Sequence, residues 1–318
     1  MRRWTLTAIV GVFFVQAALA QQGGGGRAGL RWGLDLAPAR EQAIKSKQPL
    51  MLWIQGNTSE RDDMDRIERD QMKAFSDPRI GELSRRFVLC KVSLSRYRSE
   101  LVKLLGVTPS HLDVYFISPE GDGEKLGDIS AAGVKNVESL AQKMELVADD
   151  YSARLFTKEI KPVLENEKSK PAELLAALDL VDKYNITSAD RSILALLKRG
   201  GLDEAVTRKA YAALSNSSSR EGVTELFDRA INDKRALEAL EKCNAGGLET
   251  LLPLMDDQDP AKSLLAYKTI AKIVKTTPKP DKFWEGKLEK VKADEVKRVK
   301  DLATKAAARW KERHGQRP

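Results

Sequence analysis

The chain contains 318 residues, of which 42% are hydrophobic and 31% charged, and it carries a net charge of +8. This length accommodates two domains of ordinary size, and the composition is typical of a globular protein. The two histidines, His111 and His314, fall in different halves of the chain, which excludes a multi-histidine metal site.

The chain begins with the three regions of a secretory signal peptide. Arg2 and Arg3 give a positive start, Thr5 to Ala18 is an apolar run, and Ala18-Leu19-Ala20 supplies the small residues of a cleavage site. The alternative is an uncleaved membrane anchor, although the apolar run is shorter than a spanning helix. We therefore predict a signal peptide at 1–20, cleaved after Ala20, and a periplasmic or secreted protein.

Alternating helices and strands follow a glycine-rich linker at 21–30. The patterns predict, in chain order, a helix at 38–47, a strand at 49–55, a helical stretch ending at Phe75, a helix after the start signal Ser76-Asp77-Pro78, a strand at 87–94, a helix at 99–105, strands at 113–118 and 124–130, and a helix capped by Asn136. A strand-helix-strand unit requires parallel pairing, whereas the short turn at 119–123 allows an antiparallel hairpin.

Local patterns within 31–151 resemble, in the same order, the exported thioredoxin-like domains of bacteria. The patterns are Trp32 with Ala43, Lys47-Gln48-Pro49 before an apolar strand, Phe75-Ser76-Asp77-Pro78, the strand Phe87 to Val92, and the turn Ser118-Pro119-Glu120-Gly121. The resemblance implies an α/β thioredoxin-like domain over residues 31–151.

The redox motif of that family is missing. In the family, a glycine after the first strand leads into Trp-Cys-x-x-Cys; counting from Gly56, the two cysteine positions hold Ser59 and Asp62. The resemblance also implies a cis-proline at the position that holds Leu112, while Pro109 lies too early in the chain. Neither a serine nor an aspartate performs thiol–disulfide exchange, so redox catalysis at this motif is excluded.

The two cysteines are predicted to be buried and unpaired. Cys90 lies within an apolar strand pattern, and Cys243 ends a helical pattern in the other half of the chain. A Ser59–His111 pair is conceivable from the resemblance, but the sequence identifies no orienting carboxylate or oxyanion hole for it. We predict no catalytic residue, no cofactor and no metal site.

The stretch from 152 to 278 shows helical patterns and no strand signal. Gly200-Gly201 and Gly246-Gly247 are natural helix stops. Three helix pairs, at 194–214, 226–243 and 251–273, share a loose pattern of a leucine-rich helix followed by an alanine-rich one. This all-α region is therefore predicted to be either a HEAT-like α-solenoid or an irregular helical bundle.

The last segment, 279–318, is basic and carries a net charge of +6, which equals that of the chain without its signal peptide. The apolar stripe of a predicted helix at 294–315 consists of Val296, Val299, Leu302, Ala303, Ala306 and Trp310. This helix either packs internally or docks on an anionic surface, such as a membrane or an acidic envelope polymer.

The leading functional hypothesis is a non-enzymatic binding or scaffolding protein of the cell envelope, with a protein or peptide partner. Nucleic acid is not expected as a partner, because no aromatic-basic recognition pattern is present in this exported chain. The alternative hypothesis is an enzyme or accessory related to thiol–disulfide oxidoreductases, in which Cys90 or Cys243 acts singly.

Overall fold

The computed structural model describes residues 30–55, 62–286 and 289–314, so the predicted signal peptide and nearly all of the predicted linker lie outside the described residues. The first part alternates helices and strands, which are α1 (Leu36–Ser46), β1 (Leu50–Gln55), α2 (Asp62–Phe75), α3 (Pro78–Ser84), β2 (Val88–Ser93), α4 (Leu94–Leu105), β3 (Val114–Ile117), β4 (Lys125–Ile129), α5 (Ala131–Val134) and α6 (Val137–Leu155). The predicted order of helices and strands is confirmed.

The four strands form one mixed sheet in the order β2-β1-β3-β4. β1 pairs in parallel with β2, with Leu52 opposite Cys90, and β3 runs antiparallel to both β1 and β4. The parallel pair is connected through α2 and α3, whereas β3 and β4 form a hairpin. The chain is thus a mixed α/β fold followed by a helical region, as the sequence predicts at this level.

Side chains of β1 fill an apolar core on each face of the sheet. Met51 and Trp53 lie in a core with α3 and α6, whereas Leu50, Leu52 and Ile54 lie in a core with α1 and α4. None of these five side chains is more than 1% exposed. Because both faces of the strand are covered, its sequence is a continuous apolar run instead of an alternating one.

Side chains that precede α3 and α6 cap these helices. Asp77 Oδ1 accepts the backbone N–H of Arg79 at 2.8 Å, and Pro78 occupies the first turn. Asn136 Oδ1 accepts the backbone N–H of Ser139 at 3.1 Å. Each bond pairs a backbone donor that has no partner within its own helix, so both predicted start signals are confirmed.

The second part is helical throughout its described residues. After a π-helical turn at Phe156–Ile160 it contains α7 (Lys161–Glu165), α8 (Pro171–Tyr184), α9 (Asp190–Arg199), α10 (Glu204–Ser217), α11 (Arg220–Ala230), α12 (Lys234–Leu240), α13 (Leu248–Leu251), α14 (Pro260–Ile273), α15 (Asp281–Gly286) and α16 (Glu289–His314). Short 3₁₀ segments precede α9 and α13 and follow α13.

The helices of this part form two layers. In one layer α8 contacts α10 and α10 contacts α12, and in the other α7 contacts α9, α9 contacts α11 and α11 contacts α13. α10 and α11 also contact each other across the layers, and a single apolar core extends from α6 to α16. The region is therefore stacked along the chain, with most contacts between near neighbours in sequence.

Helix α6 belongs to both parts, because it continues through residue 151, the predicted end of the first domain. Tyr151 of α6 and Tyr184 of α8 both donate their hydroxyls to the backbone carbonyl of Lys47, at the end of α1. The two rings meet edge-on with centroids 6.1 Å apart, and Lys47 Nζ pairs with Glu159. These bonds hold α6 and α8 against the end of α1.

Helix α16 packs into the helical core along one face. Val299 and Ala303 are fully buried, and Ala307 is 7% exposed. Leu302, which was predicted to lie on the apolar face, is 39% exposed. The buried positions 299, 303 and 307 recur every fourth residue, and Leu302 lies outside this series. This face therefore belongs to the interior of the protein.

Within the described ranges, none of the helices has both the length and the apolar character needed to cross a membrane.

Candidate functional site

His111 and Leu112, which the sequence singles out, lie in the loop before β3, where this loop meets the end of β1 and the middle of α2. Ser59 lies outside the described residues, and Asp62 is the first residue of α2. Leu112 directly precedes Asp113 and β3, next to the end of β1. The described part of the site is therefore formed by the loop before β3 and by the helix and strand that it contacts.

Leu112 has an unusual backbone conformation for a bulky residue. Its φ angle is +66°, in the left-handed region, while its side chain is only 1% exposed. Its backbone N–H donates to the carbonyl oxygen of Ile54 at 2.6 Å, and its own carbonyl accepts from the side chain of Gln71 at 2.8 Å. Both backbone groups of Leu112 are thus used within the protein.

Gln71 forms the centre of a buried network. Its side chain is 0% exposed, its Oε1 accepts the indole N–H of Trp53 at 2.9 Å, and its amide donates to the carbonyls of Leu112 and Ala131 at 2.8 and 3.1 Å. One side chain therefore joins β1, α2, the loop before β3 and the start of α5. A buried amide whose donors and acceptor are all paired fixes the surrounding backbone.

Asp113 ties the same loop to α5. Its Oδ1 accepts the backbone N–H of Ala131 at 2.7 Å, and its Oδ2 lies 3.5 Å from the hydroxyl of Tyr115. Burial raises the pKa of this carboxyl, and the bonds from Ala131 and Tyr115 oppose that rise. The carboxyl therefore has a structural role, although the sequence analysis considered Asp113 only as the start of a strand.

His111 is partly buried and faces the end of β1. Its Nδ1 lies 3.2 Å from the carbonyl oxygen of Gln55. A carbonyl oxygen only accepts, so Nδ1 carries the proton in this arrangement. The conceivable Ser59–His111 pair cannot be placed, because Ser59 is outside the described residues.

Both cysteines are buried and unpaired, as the sequence predicts. Cys90 in β2 is 0% exposed, and Cys243 after α12 is 5% exposed. Burial raises the pKa of the Cys90 thiol to about 12 and that of the Cys243 thiol to about 11. At neutral pH both residues are therefore present as thiols and not as nucleophilic thiolates.

A groove of about 930 Å³ lies beside the start of the edge strand β2, and the residues described above at the end of β1 do not line it. The segment before α1 forms one wall, where Leu34 is 65% exposed, and α3 contributes Gly81, Glu82 and Arg85. The segment also pairs with β2, because Gly33 donates to Leu89 and accepts from Lys91, each at 2.9 Å. The groove thus combines apolar surface, charges of both signs and the outer edge of a strand.

Among the residues that the structure describes, no three His, Cys, Asp or Glu side chains are grouped so that they could hold a metal ion. Gln71 was not among the site residues predicted from the sequence. The sequence contains only a weak indication of its role. Gln71 is a polar residue four positions before the buried Phe75, on a face of α2 that is otherwise apolar.

No family model, no curated protein and no solved structure matches this chain.

Proposed function

We propose that the chain is a redox-inactive, thioredoxin-like protein of the cell envelope that binds a protein partner, with a HEAT-like helical region as its second part. In this proposal the signal peptide directs export, and residues 31–151 keep the thioredoxin-like topology without its chemistry. Ser59 and Asp62 replace the two redox cysteines, and Leu112 replaces the proline opposite them.

The sheet supports the thioredoxin-like part of the proposal. Its order is β2-β1-β3-β4, β1 and β2 are parallel, β3 is antiparallel to its neighbours, and helices cover both faces. This arrangement is the one expected from the resemblance over 31–151. The two-layer contacts among α7 to α13 support the HEAT-like alternative over an irregular bundle, because stacked repeats mainly contact their neighbours.

The observation that carries the non-catalytic part is the state of the two thiols. The alternative hypothesis requires Cys90 or Cys243 to act as a nucleophile, which needs an accessible thiolate. Cys90 and Cys243 are buried, and burial raises the pKa of the first thiol to about 12 and that of the second to about 11. The thiolate fraction at neutral pH is therefore very small for both residues. A single-cysteine mechanism therefore finds no support in these positions.

The groove beside β2 supports binding of an extended protein segment. An extended segment can be bound by side-chain pockets along a groove beside a sheet. One chain segment, at Gly33, already pairs with this edge in parallel. Charges of both signs, from Glu82 and Arg85, are suited to a peptide more than to a small apolar molecule.

Photo-crosslinking from Gly81 tests this proposal. A β-carbon added at Gly81 would have nothing within 4 Å, so a benzophenone side chain fits there without distortion. The full chain carrying this group is irradiated in the cells that produce it, with the same group at the exposed Leu302 as a control. We expect a discrete protein adduct from position 81 and not from position 302.

Two substitutions complete the experiment. Gly81→Trp fills the groove and should abolish isolation of that partner, whereas Gly81→Ala leaves the groove open and should retain it. Both variants replace a glycine within a helix by a residue of higher helix propensity, so neither is expected to destabilise α3. Equal adducts from positions 81 and 302, or a partner that Gly81→Trp still binds, would contradict the proposal.

A further inference from the structure

A second cavity, of about 410 Å³, lies where the two parts of the chain meet. It is lined by side chains from α6, from the loop after α8, from the end of α10 and from α16, together with Arg86 before β2. Its volume falls in the lower part of the range of about 300–1,000 Å³ that is usual for small-molecule sites. It is separate from the groove at Gly81.

Arg86 and Asp149 supply the charges of this junction pocket and balance each other. An Nη atom of Arg86 donates to Asp149 Oδ1 at 2.7 Å and lies 3.4 Å from Ser152 Oγ. The Arg86 side chain is only 19% exposed, so its guanidinium is held in place by these contacts. A guanidinium has five N–H donors, and both contacts are made by one of its nitrogens, so further donors remain. The pocket therefore offers donors without a net positive charge.

A second polar group lies behind Ser217, at the end of α10. The hydroxyl of Ser217, which lines the pocket, donates to Oδ2 of Asp190 at 2.7 Å. Asp190 is 3% exposed, and its Oδ1 has no hydrogen-bond partner among the described residues. Burial raises the pKa of this carboxyl, and the side chains of Ser219 and Ser217 oppose that rise.

Trp310 gives the pocket an aromatic wall. Its indole reaches Gly246 so closely that a β-carbon at that position would lie 3.0 Å from the ring. The glycine therefore lets the ring approach the backbone between α12 and α13. Tyr184 and Ile186 complete the apolar lining, and the Tyr184 hydroxyl is bonded to Lys47 instead of facing the pocket.

Polar side chains line the pocket beside this aromatic wall, and those from the loop after α8 are exposed. Asn185, Thr187 and Ser188 line the pocket from the loop after α8, and Asn244 lines it from the loop before α13. Amides and hydroxyls both donate and accept, which suits a ligand whose own groups do the same. The combination is an aromatic ring, several neutral polar groups and one balanced ion pair.

We propose that the junction pocket binds a neutral saccharide of one or two sugar units. Sugar hydroxyls match the mixed donors and acceptors of Arg86, Asn185 and Ser188, while the C–H face of a sugar ring packs on the indole of Trp310. An anion would find the guanidinium already neutralised by Asp149, and an apolar molecule would leave the polar groups unpaired.

Binding is measured on the full mature chain by saturation-transfer NMR and calorimetry with maltose, cellobiose, lactose and N,N′-diacetylchitobiose, and with inorganic phosphate. We expect at least one disaccharide to bind and phosphate not to compete. Trp310→Ala should weaken that binding at least about tenfold, a change of about 1.4 kcal/mol. Leu302→Ala, an exposed substitution on the same helix, should leave the affinity unchanged.

Ser188→Arg is a second variant, and its effect on binding can be interpreted without regard to the stability of α16. Ser188 is exposed, so the substitution leaves the fold intact and places a long side chain across the pocket. It should abolish saccharide binding. The proposal is overturned if none of the four disaccharides binds, if phosphate displaces the bound one, or if both Trp310→Ala and Ser188→Arg bind as tightly as the unmodified chain.

Discussion

The indole N–H of Trp53 donates to the side-chain oxygen of Gln71 at 2.9 Å, in a part of the protein where neither side chain is exposed. Through this bond the central strand β1 is joined to α2, and the amide of Gln71 extends the connection to the carbonyl of Leu112. The end of the sheet at which β1, α2 and the loop before β3 meet is thus fixed by hydrogen bonds.

Replacing Gln71 by Leu should destabilise the protein by roughly 2–5 kcal/mol, because Trp53 loses its acceptor and the carbonyls of Leu112 and Ala131 lose their donor. Urea unfolding followed by tryptophan fluorescence measures the change. Met72→Leu, at the exposed neighbouring position, is the control and should be close to neutral. Equal stability of the two variants would show that the network contributes nothing.

Replacing Leu112 by Pro should destabilise the protein by about 3 kcal/mol or more. Proline cannot adopt the φ of +66° found at this position, and it lacks the N–H that donates to Ile54. Leu112→Met keeps the volume and the N–H and should cost less than about 1.5 kcal/mol. A Leu112→Pro variant as stable as Leu112→Met in urea would contradict the backbone conformation described for this loop.

The predictions from sequence succeeded where a pattern is local. β1 was expected at 49–55 and is Leu50–Gln55, and the start of α3 follows from Asp77-Pro78 alone. The conformation of Leu112 could not be predicted, because bulky residues avoid the left-handed region unless the surrounding structure imposes it. Contacts between distant segments, such as the two tyrosines on Lys47, have no signal in a single sequence.

The sequence also left the orientation of α16 open. Its apolar stripe was compatible with internal packing and with surface docking, and only the tertiary contacts of Val299 and Ala303 decide which face is buried. Burial of the two cysteines was predictable from their apolar neighbours, whereas the junction pocket was not, since its lining comes from segments far apart in the chain.

Asp233 should make stability depend on pH in the acidic range. Hydrogen bonds from Arg235 lower the pKa of this carboxyl from 3.8 to about 2, and the hydroxyl of Tyr211 adds to the effect. A lowered folded-state pKa means that the contribution is fully present above pH 3.8 and is lost as the pH falls through about 2. The contribution at neutral pH is about 2 kcal/mol.

Asp233→Asn should therefore be less stable than the unmodified chain at pH 7 by about that amount, and the difference should shrink as the pH approaches 2. Urea unfolding at a series of pH values measures it. Asp228→Asn, at an exposed position of α11, is the matched control. A difference at Asp233 that stays constant from pH 7 to pH 2 would contradict the assigned hydrogen bonds.

The buried face of α16 predicts a contrast between two substitutions three residues apart. Val299→Ala should cost roughly 1.5–3 kcal/mol, because it removes a fully buried side chain from the helical core. Leu302→Ala should change stability by less than about 0.5 kcal/mol, since Leu302 is 39% exposed. Thermal unfolding compares them, and the reverse order would mean that α16 presents its other face to the protein.

The absence of thiol chemistry is tested most directly by the reactivity of Cys90 and Cys243 in the native protein. The chain without residues 1–20 is mixed with an aromatic disulfide reagent at pH 8, with and without urea, and each cysteine is followed separately after replacing the other by Ser. Burial and the raised pKa values predict that both native thiols react at least about 100-fold more slowly than in urea. Rapid reaction of either cysteine in the folded protein, together with reduction of a substrate disulfide, would contradict the proposed non-catalytic function.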